Sequence, residues 1–428
     1  MVAETTLIDL GVLFAVVATA GLIANRIGQS VIPFYIVAGM LMNPYVLGAV
    51  PFPDLLGTAL VPHGAALALD GHSEFIHLGA ELGIVLLLFF LGLEFNLDRL
   101  IAARERIGKA GSVDLGINFG IGLILGYVLF WDPLAAFFVA GIVYISSSAI
   151  ITKSLIDLGW IANDEADPML GTLVFEDLFI AVYLAIASAL VVGGGDVGAA
   201  LGQIGIAIGF IVALLLLVYF GTAFFQRALE VNSHEFTVLR TLGITVLIAG
   251  AALSLQVSEA VAAFFVGMAF SSTGHVHELE ELLEPLRDTF AAVFFFWIGL
   301  LTDPGVFVDA FVLVAIAAAI VLTTPSKLVS GYLGGRIYDL DERRSLRVGL
   351  GMSTRGEFSL IIASIVIAGA GLGIAEGPAE TIYAFAVGYV LLMSIIGTTL
   401  MQFADRIEGV VVPHLEARNT PGAQPSDD

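Results

Sequence analysis

Ile145-Ser146-Ser147-Ser148-Ala149-Ile150 interrupts an otherwise apolar run over residues 134–157. About 20 apolar residues in a helix cover a hydrocarbon core of about 30 Å, so the run is long enough to span a membrane. Three consecutive serines at its middle free backbone groups that lipid cannot satisfy. They must face a partner helix, a cavity or an ion. A second interruption, Ser353-Thr354-Arg355-Gly356-Glu357, lies in another apolar run over 343–373, and Ser146 and Ser353 are 207 positions apart. The same 207 separates Gly92 of Phe89-Phe90-Leu91-Gly92-Leu93 from Gly299 of Phe296-Trp297-Ile298-Gly299-Leu300. Each match alone is weak, and the serines at either break taken singly fit ordinary helix contacts. The shared offset indicates an internal repeat.

Working outward, apolar runs recur along nearly the whole chain. Breaks at Gly, Pro and charge clusters divide it into segments at 6–24, 31–48, 76–95, 107–131, 134–157, 168–193, 203–225, 236–255, 257–272, 286–301, 306–335, 343–373 and 380–403. Only 13% of residues are charged and 58% are hydrophobic, with a mean hydropathy of +0.98. A soluble chain carries roughly 25% charged residues. The expected fold is therefore an all-α polytopic membrane protein of about 13 transmembrane helices. The third and tenth spans are an odd number apart, so the repeats face opposite ways. Inverted repeats with interrupted helices are the architecture of secondary transporters, whose site lies at the repeat interface.

Basic residues test this topology, because they gather on the cytoplasmic side. They occupy every second loop: Arg26; Arg99, Arg104, Arg106 and Lys109; Lys153; Arg227; Arg287; Arg336, Arg343, Arg344 and Arg347; then Arg406. The intervening loops, including Ala49 to Phe75, hold none. The N-terminus is thereby expected outside and the C-terminus in the cytoplasm. The run from Leu7 to Ala24 lacks a basic leader and reads as a retained helix, not a signal peptide. Residues 1–405 form the membrane domain. Residues 406–428 read as a short polar cytoplasmic tail, disordered from Pro413, with no soluble domain following. The chain has no cysteine, which excludes disulfide and thiolate chemistry. Its net charge of −22 fits either a high-salt habitat or acidic loops that attract cations.

Ionisable residues deep in a span are costly and mark function. The sixth span carries Glu176-Asp177, the eleventh Lys327 in Thr324-Pro325-Ser326-Lys327, and the twelfth Arg355 and Glu357. Asp177, Lys327 and the two breaks lie at one depth, about 12 Å from the cytoplasmic ends at 1.5 Å per residue. A carboxylate in a partly dehydrated pocket favours its protonated form, whereas a bound cation favours the ionised one. One carboxylate alternately exposed to each side is sufficient for antiport. Neighbours on a helix point about 100° apart, so one acid of the pair reaches the ion. Asp177 is taken as that acid. Lys327 either offsets the charge of the empty site or snorkels to the interface, and Pro325 is expected to loosen its helix.

Phe175-Glu176-Asp177, Ser147-Ser148-Ala149-Ile150, Lys327, Gly356-Glu357-Phe358, Gly92-Leu93-Glu94-Phe95 and the amphipathic His277-Glu278-Leu279-Glu280 together resemble the cation:proton antiporter-2 family. That family includes Kef-type potassium efflux transporters and their sodium/proton relatives, and the likeness covers residues 6 to 405. The resemblance implies a homodimer with a dimerisation domain and a moving core, and a fifth and twelfth helix crossing at their breaks. By motif position Asp177 matches the ion-binding aspartate and Lys327 the basic residue of the eleventh helix. Ser146, Ser147, Ser148, Ser353, Thr354, Arg355, Gly356 and Glu357 would support the broken helices. Glu176 departs from the family, where Asp, Asn or Gln is usual, which opens the cation:proton ratio. The Kef nucleotide-binding domain has no counterpart here, so any regulatory subunit would be a separate cytoplasmic chain.

The partners expected are K⁺ or Na⁺, H⁺, the lipid bilayer and a second copy of the chain, with no nucleic acid and no cofactor. K⁺ is favoured by the resemblance alone. Val387-Gly388-Tyr389 echoes a potassium filter but sits in an uninterrupted helix, which weakens a channel reading. A membrane sensor would couple to a signalling domain. His275 and His277 diverge on a helix and make a poor zinc pair, while His63, His72 and His77 lie in or near an outer loop. No phosphate-loop, metalloprotease or nucleophile signature supports an enzyme.

Overall fold

The computed structural model describes residues 2–43, 46, 69–71, 73–94, 97–192, 233–255, 257–271, 273, 275–371 and 374–419, with scattered positions from 202 to 216. The described residues are helical apart from short turns and one isolated bridge between Ala370 and Ile374. Such a fold follows from the solvent, because a helix closes its backbone hydrogen bonds within one segment.

In chain order the helices are α1 (Val2–Arg26), α2 (Val31–Met42), α3 (Glu74–Glu94), α4 (Leu97–Phe130), α5 (Pro133–Tyr144), α6 (Ser148–Asp157), α7 (Ala166–Val192), α8 (His234–Ser254), α9 (Glu259–Ser271), α10 (Val276–Leu301), α11 (Ala310–Ile337), α12 (Glu342–Gly351), α13 (Glu357–Ala368), α14 (Glu376–Gln402) and α15 (Ala404–Asn419). Each expected span within the described residues coincides with a helix or, at 134–157 and 343–373, with a pair of half-helices. The span at 203–225 falls largely outside them, as do His63, His72 and most of the loop from 49 to 75. Among the described residues seven helices are long and apolar enough to cross a membrane unaided, and α2, α5, α9 and α13 are shorter apolar helices. The protein is a multi-pass membrane protein.

The repeat is visible in how these helices pair. A Cβ on Gly39 of α2 would lie 2.0 Å from the Phe296 carbonyl oxygen of α10, and one on Gly299 would lie 2.0 Å from that of Ile36. Likewise a Cβ on Gly92 of α3 would lie 1.9 Å from the Phe264 oxygen of α9, and one on Gly267 would lie 2.0 Å from that of Phe89. Backbones approach so closely only where neither helix has a side chain. Gly39-Met40 and Gly267-Met268 open the two repeats, and Gly92 and Gly299 close them. The second helix of each repeat thus packs on the first helix of the other, as a two-fold relation requires.

Local sequence sets the helix starts. Asp132 caps α5 by accepting from Ala135 N at 2.7 Å, with Pro133 in the first turn, and Asp309 caps α11 by accepting from Phe311 N at 2.7 Å. Helix α11 continues through Pro325, which has no N–H to donate to the preceding turn. The tail expectation needs correction. Helix α15 carries the chain past Pro413 to Asn419. It is docked because Glu408 is buried against Arg343 and Arg347, while Ile407, Val411 and Val412 pack on a second apolar core. Residues 420–428 lie outside the described residues.

Candidate functional site

Two chain breaks build the site. Helix α5 ends at Tyr144, residues 145–147 are non-helical, and α6 starts at Ser148. Helix α12 ends at Gly351 and α13 starts at Glu357. The breaks cross in contact: a Cβ on Gly356 would lie 2.4 Å from Ser147 Oγ. Hydrogen bonds run between the two breaks. Ser147 Oγ donates to Glu357 Oε2 at 2.7 Å, Ser146 Oγ reaches the Met352 carbonyl at 3.2 Å, and Ser359 Oγ donates to the Ile142 carbonyl at 2.7 Å.

Arg355 is fully buried, and its guanidinium meets carbonyls. Nε donates to Val143 O at 2.9 Å, and Nη1 to Thr354 O at 2.7 Å and Met352 O at 3.3 Å. Val143 O and Met352 O belong to the C-terminal ends of half-helices α5 and α12, where unpaired carbonyls concentrate negative charge, and Thr354 O belongs to the break itself. Arg355 therefore holds the crossing together electrostatically. Ser353 Oγ turns back to Gly349 O at 3.0 Å, and Thr354 packs on Gly397 of α14. Those two support the break without touching the carboxylates of α7.

Helix α7 brings Glu176 and Asp177 to the α5–α6 break. Glu176 is wholly buried and accepts from Ser146 N at 2.6 Å, Ser146 Oγ at 3.0 Å and Lys327 Nζ at 2.6 Å. Asp177 is directed elsewhere, with Oδ1 3.4 Å from Ser148 Oγ. The expected divergence of the pair is thus realised, and Lys327 takes Glu176. Lys327 is wholly buried as well, which removes the snorkelling alternative. Its Nζ also lies 5.0 Å from the Tyr144 ring centroid.

A third acid escaped the sequence reading. Asp114 of α4, buried to 1% exposure, accepts from Lys327 Nζ at 2.7 Å. It follows Arg104, Arg106 and Lys109 closely, so it reads as part of a helix-end charge cluster. Its depth was the available signal, because it lies about 10 Å into a span starting at 107 at 1.5 Å per residue. The spacing Asp114–Asn118 was another, since i and i+4 share a helix face.

The discounted features have ordinary partners. Tyr389 stands in the continuous helix α14, and its OH lies 2.6 Å from Thr323 Oγ1 of α11. His275 Nδ1 is 3.1 Å from Thr273 O, and His277 is exposed beside Glu280 and Glu281. His77 packs edge-on against Trp297 at 5.4 Å. Among the described residues no group of three or more His, Cys, Asp or Glu side chains is arranged to hold a metal.

Inverted repeats around crossed broken helices, with a buried carboxylate pair and a lysine at the crossing, define a secondary ion transporter. Known proteins agree. Residues 12–404 match the family described as sodium/hydrogen exchanger, transmembrane, and the chain belongs to that family. It is 35% identical over 400 residues to the K(+)/H(+) antiporter subunit KhtU of Bacillus subtilis (strain 168), covering 93% of each chain. It is 31% identical to the Ammonium/H(+) antiporter subunit AmhT of Alkalihalophilus pseudofirmus, covering 88% of this chain and 95% of the relative. The fold matches the solved structure of the sodium proton antiporter MjNhaP1 from Methanocaldococcus jannaschii at a TM-score of 0.67 and 16% identity, over 95% of this chain and 99% of that one. The protein is a monovalent cation:proton antiporter.

Proposed function

We propose that the protein exchanges K⁺ for H⁺ by alternating access, with the two competing for Asp177. The observation that carries this reading is the division of labour on α7. Glu176 is engaged by Lys327 and Ser146, while Asp177 faces the α6 start at Ser148. A carboxylate beside a helix break, where hydroxyl and carbonyl oxygens can replace water, suits a weakly hydrated monovalent cation. Glu176 then serves as a counter-charge of Lys327 beside the ion site and adjusts rate and coupling.

The choice of K⁺ is supported by the name of the relative at 35% identity, and the ammonium antiporter at 31% makes NH₄⁺ the natural competitor. Both relatives are named as subunits, which supports a separate cytoplasmic regulatory chain. The working unit is a homodimer in the cell membrane. Its N-terminus is outside and its C-terminus inside, a reading supported by the alternation of basic loops.

Purified protein in proteoliposomes with an internal pH dye tests the function. A K⁺ gradient should move protons in either direction, with NH₄⁺ and Na⁺ as comparison arms. No cation-dependent proton movement with any of the three would refute exchange. Movement with Na⁺ alone would refute the choice of K⁺.

A further inference from the structure

The antiport reading above gives Lys327 a single partner on the ion-binding helix. The structure gives it a second partner, on α4. Nζ lies 2.6 Å from Glu176 Oε1 and 2.7 Å from Asp114 Oδ2, and all three side chains are buried. We propose that Asp114 is a positioning residue, the permanent anchor that keeps the Lys327 ammonium paired whenever Glu176 releases it during exchange. The proposal rests on the reading that Glu176 and Asp177 form the transport site.

The two anchors differ in what holds them. Asp114 Oδ1 accepts from Asn118 Nδ2 at 2.8 Å and from Ser330 Oγ at 2.6 Å. Asn118 is fixed in turn, since its Oδ1 accepts from Ser326 Oγ at 2.6 Å and its Nδ2 lies 2.9 Å from Ser330 Oγ. These residues come from α4 and from α11, the helix of Lys327 itself. They form one closed polar seam between two helices. Glu176 stands on α7 instead, and its other bonds go to Ser146 at the α5–α6 break.

Lys327 therefore straddles a boundary. One bond lies within its own helix pair, and the other reaches the elements that carry the transport site. Breaking a buried ion pair is costly because it strands a charge away from water. A lysine anchored by Glu176 alone would be stranded each time Glu176 changed partners. With Asp114 on the seam, the ammonium keeps a charge-assisted hydrogen bond throughout. The same geometry explains a fixed acid at this depth that the transported ion need not touch.

The test is a thermal-melting cycle on the purified full-length protein, read without transport, so it can fail independently of the Asp177 assignment. Asp114→Asn and Glu176→Gln should each lower Tm modestly, because one anchor remains. The double variant should lose more than the sum of the two, because Lys327 then has none. Adding Lys327→Met to the double variant should recover most of that loss, which a purely packing role of Asp114 would not produce. Additive losses, or a triple variant no more stable than the double, would overturn the proposal. If Asp114→Asn alone does not fold, the triple variant decides. A folded triple shows that Asp114 serves the lysine's charge, and an unfolded triple refutes it.

Discussion

Lys327 Nζ lies 2.6 Å from Glu176 Oε1, while the adjacent Asp177 Oδ1 lies 3.4 Å from Ser148 Oγ. Glu176 and Asp177 differ by one methylene and one position, yet a turn of about 100° sends them to different partners. Glu176 has a fixed cation and a backbone N–H, whereas Asp177 faces the first residue of α6. Each consequence can be measured.

Glu176→Gln keeps a hydrogen-bonding side chain against Ser146 but removes the charge facing Lys327. Exchange should persist with altered turnover and pH dependence, because Asp177 is untouched and Lys327 retains Asp114. Proteoliposome proton flux across pH checks this. Complete loss in a well-folded Glu176→Gln protein, with Asp177→Asn still active, would reverse the two roles.

Lys327→Ala strands two buried carboxylates at once. Removing one partner of a buried pair costs about 3–5 kcal/mol, so Tm should fall well below wild type. The activity profile should move to higher pH, since the nearby positive charge that favours ionised carboxylates is gone. Saturating K⁺ should restore part of the stability, because a ligand bound only by the folded state stabilises it by mass action. An unchanged Tm and pH profile would remove Lys327 from the site.

Much of this was legible in the sequence. The serine break at 146–148 and the Ser-Thr-Arg-Gly break at 353–356 stand out because lipid forbids unpaired backbone, so a polar run at that depth has few readings. The offset that joins Gly92 to Gly299 identified one half of the two-fold relation. The other half, Gly39 with Gly267, was hidden because its spacing differs from 207. Asp114 was missed because nearby basic residues made it look solvated. The docking of α15 was missed because composition registers Glu408 as a tail charge, while its burial depends on Arg343 and Arg347 from a distant segment. Pairings of this kind are tertiary, and no local pattern carries them.

Gly92→Ala tests the helix crossing of the repeats. Its Cβ would fall 1.9 Å from the Phe264 carbonyl oxygen, and a backbone atom cannot swing aside. Overpacking of this kind costs about 1–3 kcal/mol. A Cβ on Gly116 of α4 would have no neighbour within 4 Å, and Gly116→Ala should leave Tm equal or slightly higher. Equal melting of the two variants would contradict the close approach of α3 and α9.

Glu408→Gln tests the docking of α15. The substitution leaves Arg343 and Arg347 without the carboxylate that buries between them, at a cost of about 1–3 kcal/mol for a poorly satisfied buried group. Protease sensitivity of the segment after Phe403 should rise together with the loss in Tm. Unaltered proteolysis and melting would leave α15 an undocked helix.

Asp177→Asn addresses the shared-carboxylate mechanism most directly. The amide nearly preserves shape but can neither release a proton nor neutralise a cation. K⁺-driven proton flux should disappear in proteoliposomes of a monodisperse Asp177→Asn protein whose Tm no longer responds to K⁺. Wild-type flux from that same folded variant would contradict competition at Asp177.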